Sequence, residues 1–243
     1  MRNVTDRISN PFAMSPPCER YVPGYGDANA DFHVVGDSPD VHGGDDAATA
    51  DGGASTADGG TEPETATGAD ATGGAAVTED GAGVPFTNAA GLRLQEALAD
   101  ADLLSAAGPR PSTNRTFLSY LDMCVRERAP TDAEYREMER FFDAELRAIA
   151  AHVLLPVGER AIRHVLENYT ARSLQVAGRQ DRLHGTELLG SGFLVLPIKE
   201  PAAWTDGDAD RLVGAIEDLR STDYRRESDL GRFFAGDDPY YVR

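Results

Sequence analysis

Short apolar runs alternate along this chain with stretches of helical periodicity, and this alternation constrains the fold more than any other feature. Residues 31–37 read as a strand, terminated by Gly36 and Pro39. From Asn88 to Leu104, Leu92, Leu94, Ala97, Leu98 and Leu103 keep a helical spacing, with Thr87 or Asn88 as the cap. Thr116–Asp122 is a second strand. Pro130-Thr131-Asp132-Ala133-Glu134 opens a helix running to about Ala151, with Thr131 and Glu134 at capping-box spacing. Val153–Val157 is a third strand, residues 159–168 a helix, Phe193–Ile198 a fourth strand and Asp206–Leu219 a last helix. The fold class expected is α/β: a three-layer α/β/α sandwich around a short, mainly parallel four-stranded sheet. Ligands of such sheets bind at the carboxyl ends of the strands.

Residues 43–82 interrupt this pattern. They hold nine acids, no Lys or Arg, and Val77 as the one bulky apolar residue. Such a segment cannot bury enough surface to offset the entropy of ordering it. It is expected to be a disordered acidic insertion within one domain spanning 31–219. Residues 1–30, rich in Pro, Gly and Asn, read as an arm packed on that domain, and 220–243 as a strapped-down C-terminal tail.

The formal net charge is −18, and Lys199 is the one lysine among 23 basic residues. That composition suits a protein kept soluble in concentrated salt, where screening removes self-repulsion. The rival is an ordinary acidic protein with an acidic tract; the acid excess outside 43–82 favours the halophilic reading. Bulk electrostatics argue against a protein held to nucleic acid by net charge, but not against a local basic patch. Cys18 and Cys124 form no CxxC pair, which fits a reducing compartment and argues against a disulfide framework. No apolar run reaches the length of a membrane span, and the N-terminus lacks a signal-peptide pattern. A cytoplasmic monomer is expected, with no membrane partner.

Two stretches carry candidate chemistry. Gly36-Asp37-Ser38-Pro39 puts an acid directly after a strand. Gly83-Val84-Pro85-Phe86-Thr87-Asn88-Ala89-Ala90-Gly91 is a turn that opens a helix and presents an aromatic ring. They read as one active-site loop split by the insertion. An Asp capping its own turn and a core Phe are the plain alternatives.

These two stretches, in order, resemble the first motif of the uracil-DNA glycosylase superfamily, most closely the family 4, iron–sulfur-containing branch. Cys124 followed by Pro130–Glu134 and Phe141–Leu146 resembles the second motif and the helix behind it. His152–Gly158 resembles the third strand and its glycine turn, and Leu196–Trp204 resembles the final motif. The resemblance covers roughly residues 18 to 219.

The resemblance implies hydrolysis of the N-glycosidic bond of uracil or another deaminated base, extruded from single- or double-stranded DNA. Asp37 and Glu200 then stand at the catalytic positions, and Phe86, Tyr120, Asp122 and Asn88 at or near the base. Gly36, Pro39, Pro85 and Gly91 shape the loop backbone. Asp37 replaces the family's glutamate. Tyr120 falls where the family reads the base with an amide, which needs donor and acceptor together. Glu200 falls where the family has a histidine; an ionised glutamate there repels an anionic leaving base. Its neighbour Lys199 reads as the partner of a surface Lys–Glu pair, or else as a source of positive charge. Lys199, Arg179, Arg182 and His184 are candidate phosphate contacts, in a region that also holds Arg160, Arg163 and Arg172, although these arginines also have Glu159, Glu167 and Asp181 as possible partners.

A cubane cluster needs four thiolates. The corresponding positions are Cys18, Tyr21, Cys124 and Met138, so no cluster, metal or other cofactor is expected, and Tyr21 and Met138 are expected to fill that space by packing. The replacements at Tyr120 and Glu200 also support a degenerate member that binds nucleic acid or a nucleotide without cleavage. A third reading is a different small-molecule enzyme on a related scaffold.

Overall fold

The computed structural model describes residues 16–44, 83–170, 176–190 and 192–224. Residues 45–82 of the insertion, the tail beyond Tyr224, the start of the arm and Arg172 lie outside the described residues. The elements in chain order are β1 (Tyr25–Gly26), β2 (Phe32–Gly36), α1 (Pro39–His42), α2 (Ala89–Asp100), β3 (Leu104–Ala106), β4 (Ser112–Thr113), β5 (Thr116–Tyr120), α3 (Asp132–Ile149), β6 (Val153–Pro156), α4 (Gly158–Tyr169), α5 (Gln180–Leu183), β7 (Leu188–Leu189), β8 (Leu194–Val195), a 3₁₀ turn (Pro201–Ala203) and α6 (Asp208–Arg220).

The main sheet has the order β1-β5-β2-β6-β8-β7. Its four inner strands run parallel, as the strand–helix alternation demands. The edges differ from expectation: β1 and β7 add short antiparallel strands, making six. The first long helix, expected to reach Leu104, ends at Asp100, and Leu104 instead opens a separate β3–β4 ribbon. That helix stops at Asp100 because Asp102 turns left-handed (φ 58°) and the Leu103 N–H bonds back to Leu98.

Successive residues of a strand face opposite ways, and β2 uses both faces. Val34 packs with Leu94 and Leu98 of α2 and Leu212 and Ile216 of α6. Val35 packs with Phe142 and Leu146 of α3 and Ile162 and Val165 of α4. Each such side chain withdrawn from water contributes about 1.5–3 kcal/mol, so β2 is gripped from two layers. Asn88 caps α2 by accepting the Gly91 N–H, and Thr131 with Glu134 forms the capping box of α3.

The cysteines correct the reading against a disulfide. Cys18 and Cys124 form a disulfide, with Cα atoms 5.9 Å apart. The cause is the path of the arm. Val22 N–H bonds Met123 O, Val125 N–H bonds Arg20 O, and Tyr21 bridges Cys124 in antiparallel register. This pairing lays the arm along residues 123–125 and brings together two side chains that are 106 positions apart.

Candidate active site

The site is built at the carboxyl end of β2. Gly36 is required there by close approach: a Cβ would lie 2.7 Å from the Phe86 ring and 2.8 Å from the Tyr120 ring. Asp37 follows, half-buried. Pro39 then starts α1, where its fixed φ and missing N–H suit the first helical position. The last residue of this single turn is His42, which is wholly buried.

His42 joins the two candidate catalytic acids. Its Nδ1 accepts the Asp37 backbone N–H at 3.3 Å, which leaves Nε2 as the ring's donor. Nε2 lies 3.1 Å from Glu200 Oε2. The other Glu200 oxygen, Oε1, is buried without a hydrogen-bond partner among the described residues. The carboxylate lies against Gly158, the first residue of α4, so the positive end of that helix faces it.

Tyr135, in the first turn of α3, donates its hydroxyl to Asp37 Oδ1. The Arg160 guanidinium lies 4.1 Å from the centre of the Tyr135 ring. Burial raises the Asp37 carboxyl above its ordinary range, and nearby Glu200 pushes the same way; the Tyr135 hydrogen bond, His42 and Arg160 oppose them. Burial and the bond to Asp37 also push the Tyr135 hydroxyl up, which keeps it a donor.

Beside the acids, Phe86 and Tyr120 are both buried, their ring centres 5.2 Å apart. His42 lies 5.2 Å from the Phe86 ring and stacks nearly parallel to Tyr120 at 6.1 Å. Phe86 has a left-handed backbone, φ 64°. Its N–H donates to the Tyr120 hydroxyl at 2.6 Å, and its carbonyl accepts from Gln95 at 2.8 Å. Gly91 has no room for a side chain, since a Cβ would strike the Phe86 backbone. Pro85 is buried just before this turn.

The remaining predicted residues divide. The Asn88 side chain is taken up by main chain, accepting from Gly91 and donating to Val41 O at 2.8 Å. Asp122 is buried and accepts from Cys124 N–H and Arg126 Nε, shaping its own turn. His184 is buried between Asp208 O and the Lys199 N–H. Arg179 and Arg182 are exposed. The expected Lys199–Glu200 surface pair does not form: Lys199 pairs with Asp181 and Asp208, and Glu200 turns inward to His42. Sequence reasoning missed His42 and Tyr135. His42 stands one residue before the low-complexity tract, and that position was its only signal. Nothing in the sequence sets Tyr135 apart from other polar residues of its helix.

The cluster positions are also explicit. Cys18 and Cys124 are bonded to each other, while Tyr21, Met123, Met138 and Phe141 pack around them, Met138 Sδ 3.9 Å from Cys124 Sγ. Two thiolates consumed by one another, with a phenol and a thioether beside them, do not fit an iron–sulfur cluster. Among the described residues no group of three or more His, Cys, Asp or Glu side chains is placed to hold a metal.

The family model described as "Uracil DNA glycosylase superfamily" matches residues 72–220, more than half of the chain. No curated protein matches the chain. The match begins after β2 and Asp37 and takes in the second half of the split loop and everything downstream to Arg220. The chain belongs to the uracil DNA glycosylase superfamily.

Proposed function

We propose that this protein is a DNA repair glycosylase that hydrolyses the N-glycosidic bond of uracil or another deaminated base. The observation that carries the reading is the half-buried Asp37 carboxyl at the end of the central strand, joined through His42 to Glu200. Asp37 orients a water against C1′ of the deoxyribose and takes its proton. The electron pair of the broken C–N bond leaves with the base. Burial of the carboxyl makes it a stronger base than an exposed aspartate, which suits that task. Superfamily membership implies a nucleic acid substrate, and the exposed Arg179 and Arg182 are the side chains we assign to its phosphates. We read the protein as a cytoplasmic monomer working in concentrated salt, on its composition and not on its cysteines, which are paired.

A second reading, binding without cleavage, draws on the buried rings. Phe86 and Tyr120 fill the space beside the acids, so a base reaches it only if they move. The test is base release from uracil-containing single- and double-stranded DNA in molar salt, with wild type and Asp37→Asn side by side. Release by wild type and its loss in Asp37→Asn is the expected result. No release from any deaminated base selects the binding reading, and release that survives Asp37→Asn overturns the role of Asp37.

A further inference from the structure

We propose that Tyr135 is the positioning residue of Asp37, holding Oδ1 so that Oδ2 faces the reacting water, and that Arg160 holds Tyr135 in place. This inference rests on the glycosylase reading above.

The geometry is an anchored chain of contacts. Glu134 accepts from the Thr131 N–H at 2.8 Å and from the two terminal guanidinium nitrogens of Arg128 at 2.9 Å, and pairs with Arg126 at 2.9 Å. Together with the capping box, these bonds fix the first turn of α3, and Tyr135 N–H continues it to Thr131 O at 3.1 Å. From that fixed base the Tyr135 hydroxyl reaches Asp37 across 98 residues of sequence. Arg160, on the first turn of α4, lies over the ring and grips Asp132 Oδ1 with two nitrogens at 3.1 Å. The phenol is thus held between the starts of two helices.

Asp37 is held at three further-spaced points. Its N–H goes to His42, its carbonyl accepts the Asp122 N–H at 3.0 Å, and Oδ1 accepts from Tyr135. Oδ2 has no hydrogen bond among the described residues. A carboxylate with one oxygen clamped keeps its plane, and the other oxygen keeps a defined direction for a water. The titratable and charged groups facing it are Tyr135 from α3, His42 from α1, Arg160 from α4 and Glu200 from the segment before the 3₁₀ turn. Removing the phenolic donor removes a bond that favours the ionised carboxyl, so the Asp37 titration moves up.

The test compares wild type, Tyr135→Phe and Arg160→Met by two measurements: the Asp37 carboxyl carbon followed by NMR through a pH titration and identified with Asp37→Asn, and the pH profile of base release. The expected result for Tyr135→Phe is an upward shift of the Asp37 titration and an equal upward shift of the acid limb. With it comes a kcat lower by on the order of 10- to 100-fold and an unchanged KM for DNA. Arg160→Met moves both quantities the same way by less. An unmoved carboxyl titration in a protein that releases base overturns the role of Tyr135 alone, and so does a moved titration with an unmoved acid limb. Absence of release by wild type overturns the glycosylase reading, and any role of Tyr135 in that reaction goes with it.

Discussion

The Tyr120 hydroxyl accepts the Phe86 N–H at 2.6 Å and, with its own proton, donates to the Gly43 carbonyl at 2.7 Å. One side chain thereby fastens both ends of the split loop to the end of β5. Tyr120→Phe keeps the ring and removes both bonds. Two buried main-chain groups lose their partner, and the expected cost is about 1–3 kcal/mol. Thermal unfolding of the variant in the same salt checks this, and an unchanged midpoint would show that the loop is held elsewhere.

His42 is the link between the acids, so His42→Ala releases the Asp37 N–H and the Glu200 carboxylate together. Base release is expected to fall by about 100-fold, the scale of a misplaced reacting group, while DNA affinity stays near that of wild type because His42 is wholly buried. Single-turnover release and a separate binding measurement resolve the two quantities.

Glu145 makes stability depend on pH in an unusual direction. It is buried under the arm, accepting the Gly24 N–H at 3.2 Å, and burial pushes its carboxyl up to about 7. The folded protein therefore holds a proton there that the unfolded chain gives up near its ordinary value. Stability falls as pH rises from about 4.5 to 7, by about 3 kcal/mol in total. His33, pushed down to about 3 by burial, acts oppositely: its contribution is present above 6.5 and is lost as pH falls through the range down to 3. Glu145→Gln removes the first slope and keeps the second. Chemical denaturation at intervals from pH 5 to 8 should show the variant gaining on wild type as pH rises.

Reduction of Cys18–Cys124 frees the arm from the turn after β5. Loss of this cross-link, which spans 106 positions, is expected to cost about 2–5 kcal/mol. A Cys18→Ser/Cys124→Ser variant should unfold at the temperature of the reduced wild type and show no response to reductant. A wild-type midpoint indifferent to reductant would mean that strand β1 and the Met123 and Arg20 main-chain bonds hold the arm unaided.

The parallel centre of the sheet was legible because its strands and helices have different periods, and each period survives as a local pattern. Asp37 was legible for the same reason, since a strand end can be read from Val34-Val35-Gly36. The edges were not. Tyr25–Gly26 and Leu188–Leu189 are two residues each, too short for a period, and are set by their pairing with β5 and β8. The disulfide, the His42–Glu200 bond and the Tyr135–Asp37 bond link residues 106, 158 and 98 positions apart. Nothing local marks such partners. Lys199 and Glu200 illustrate the converse: neighbours of opposite charge that a local reading pairs, but that point into different surroundings.

The neck of the insertion is closed without the residues it leads to. Asn88 donates to Val41 O and, through its N–H, to His42 O at 3.4 Å, while Tyr120 holds Gly43 and the Val84 carbonyl lies beside Gly44. The two ends of the excursion therefore meet at a fixed separation set by the domain itself. Lengthening a flexible linker between two such fixed ends costs only about 0.6 kcal/mol per doubling. Replacement of 45–82 by a few glycines and serines should leave the domain folded, and a foreign domain with adjacent termini could be spliced there. The split loop is a built-in insertion port, placed within one hydrogen bond of the chemistry.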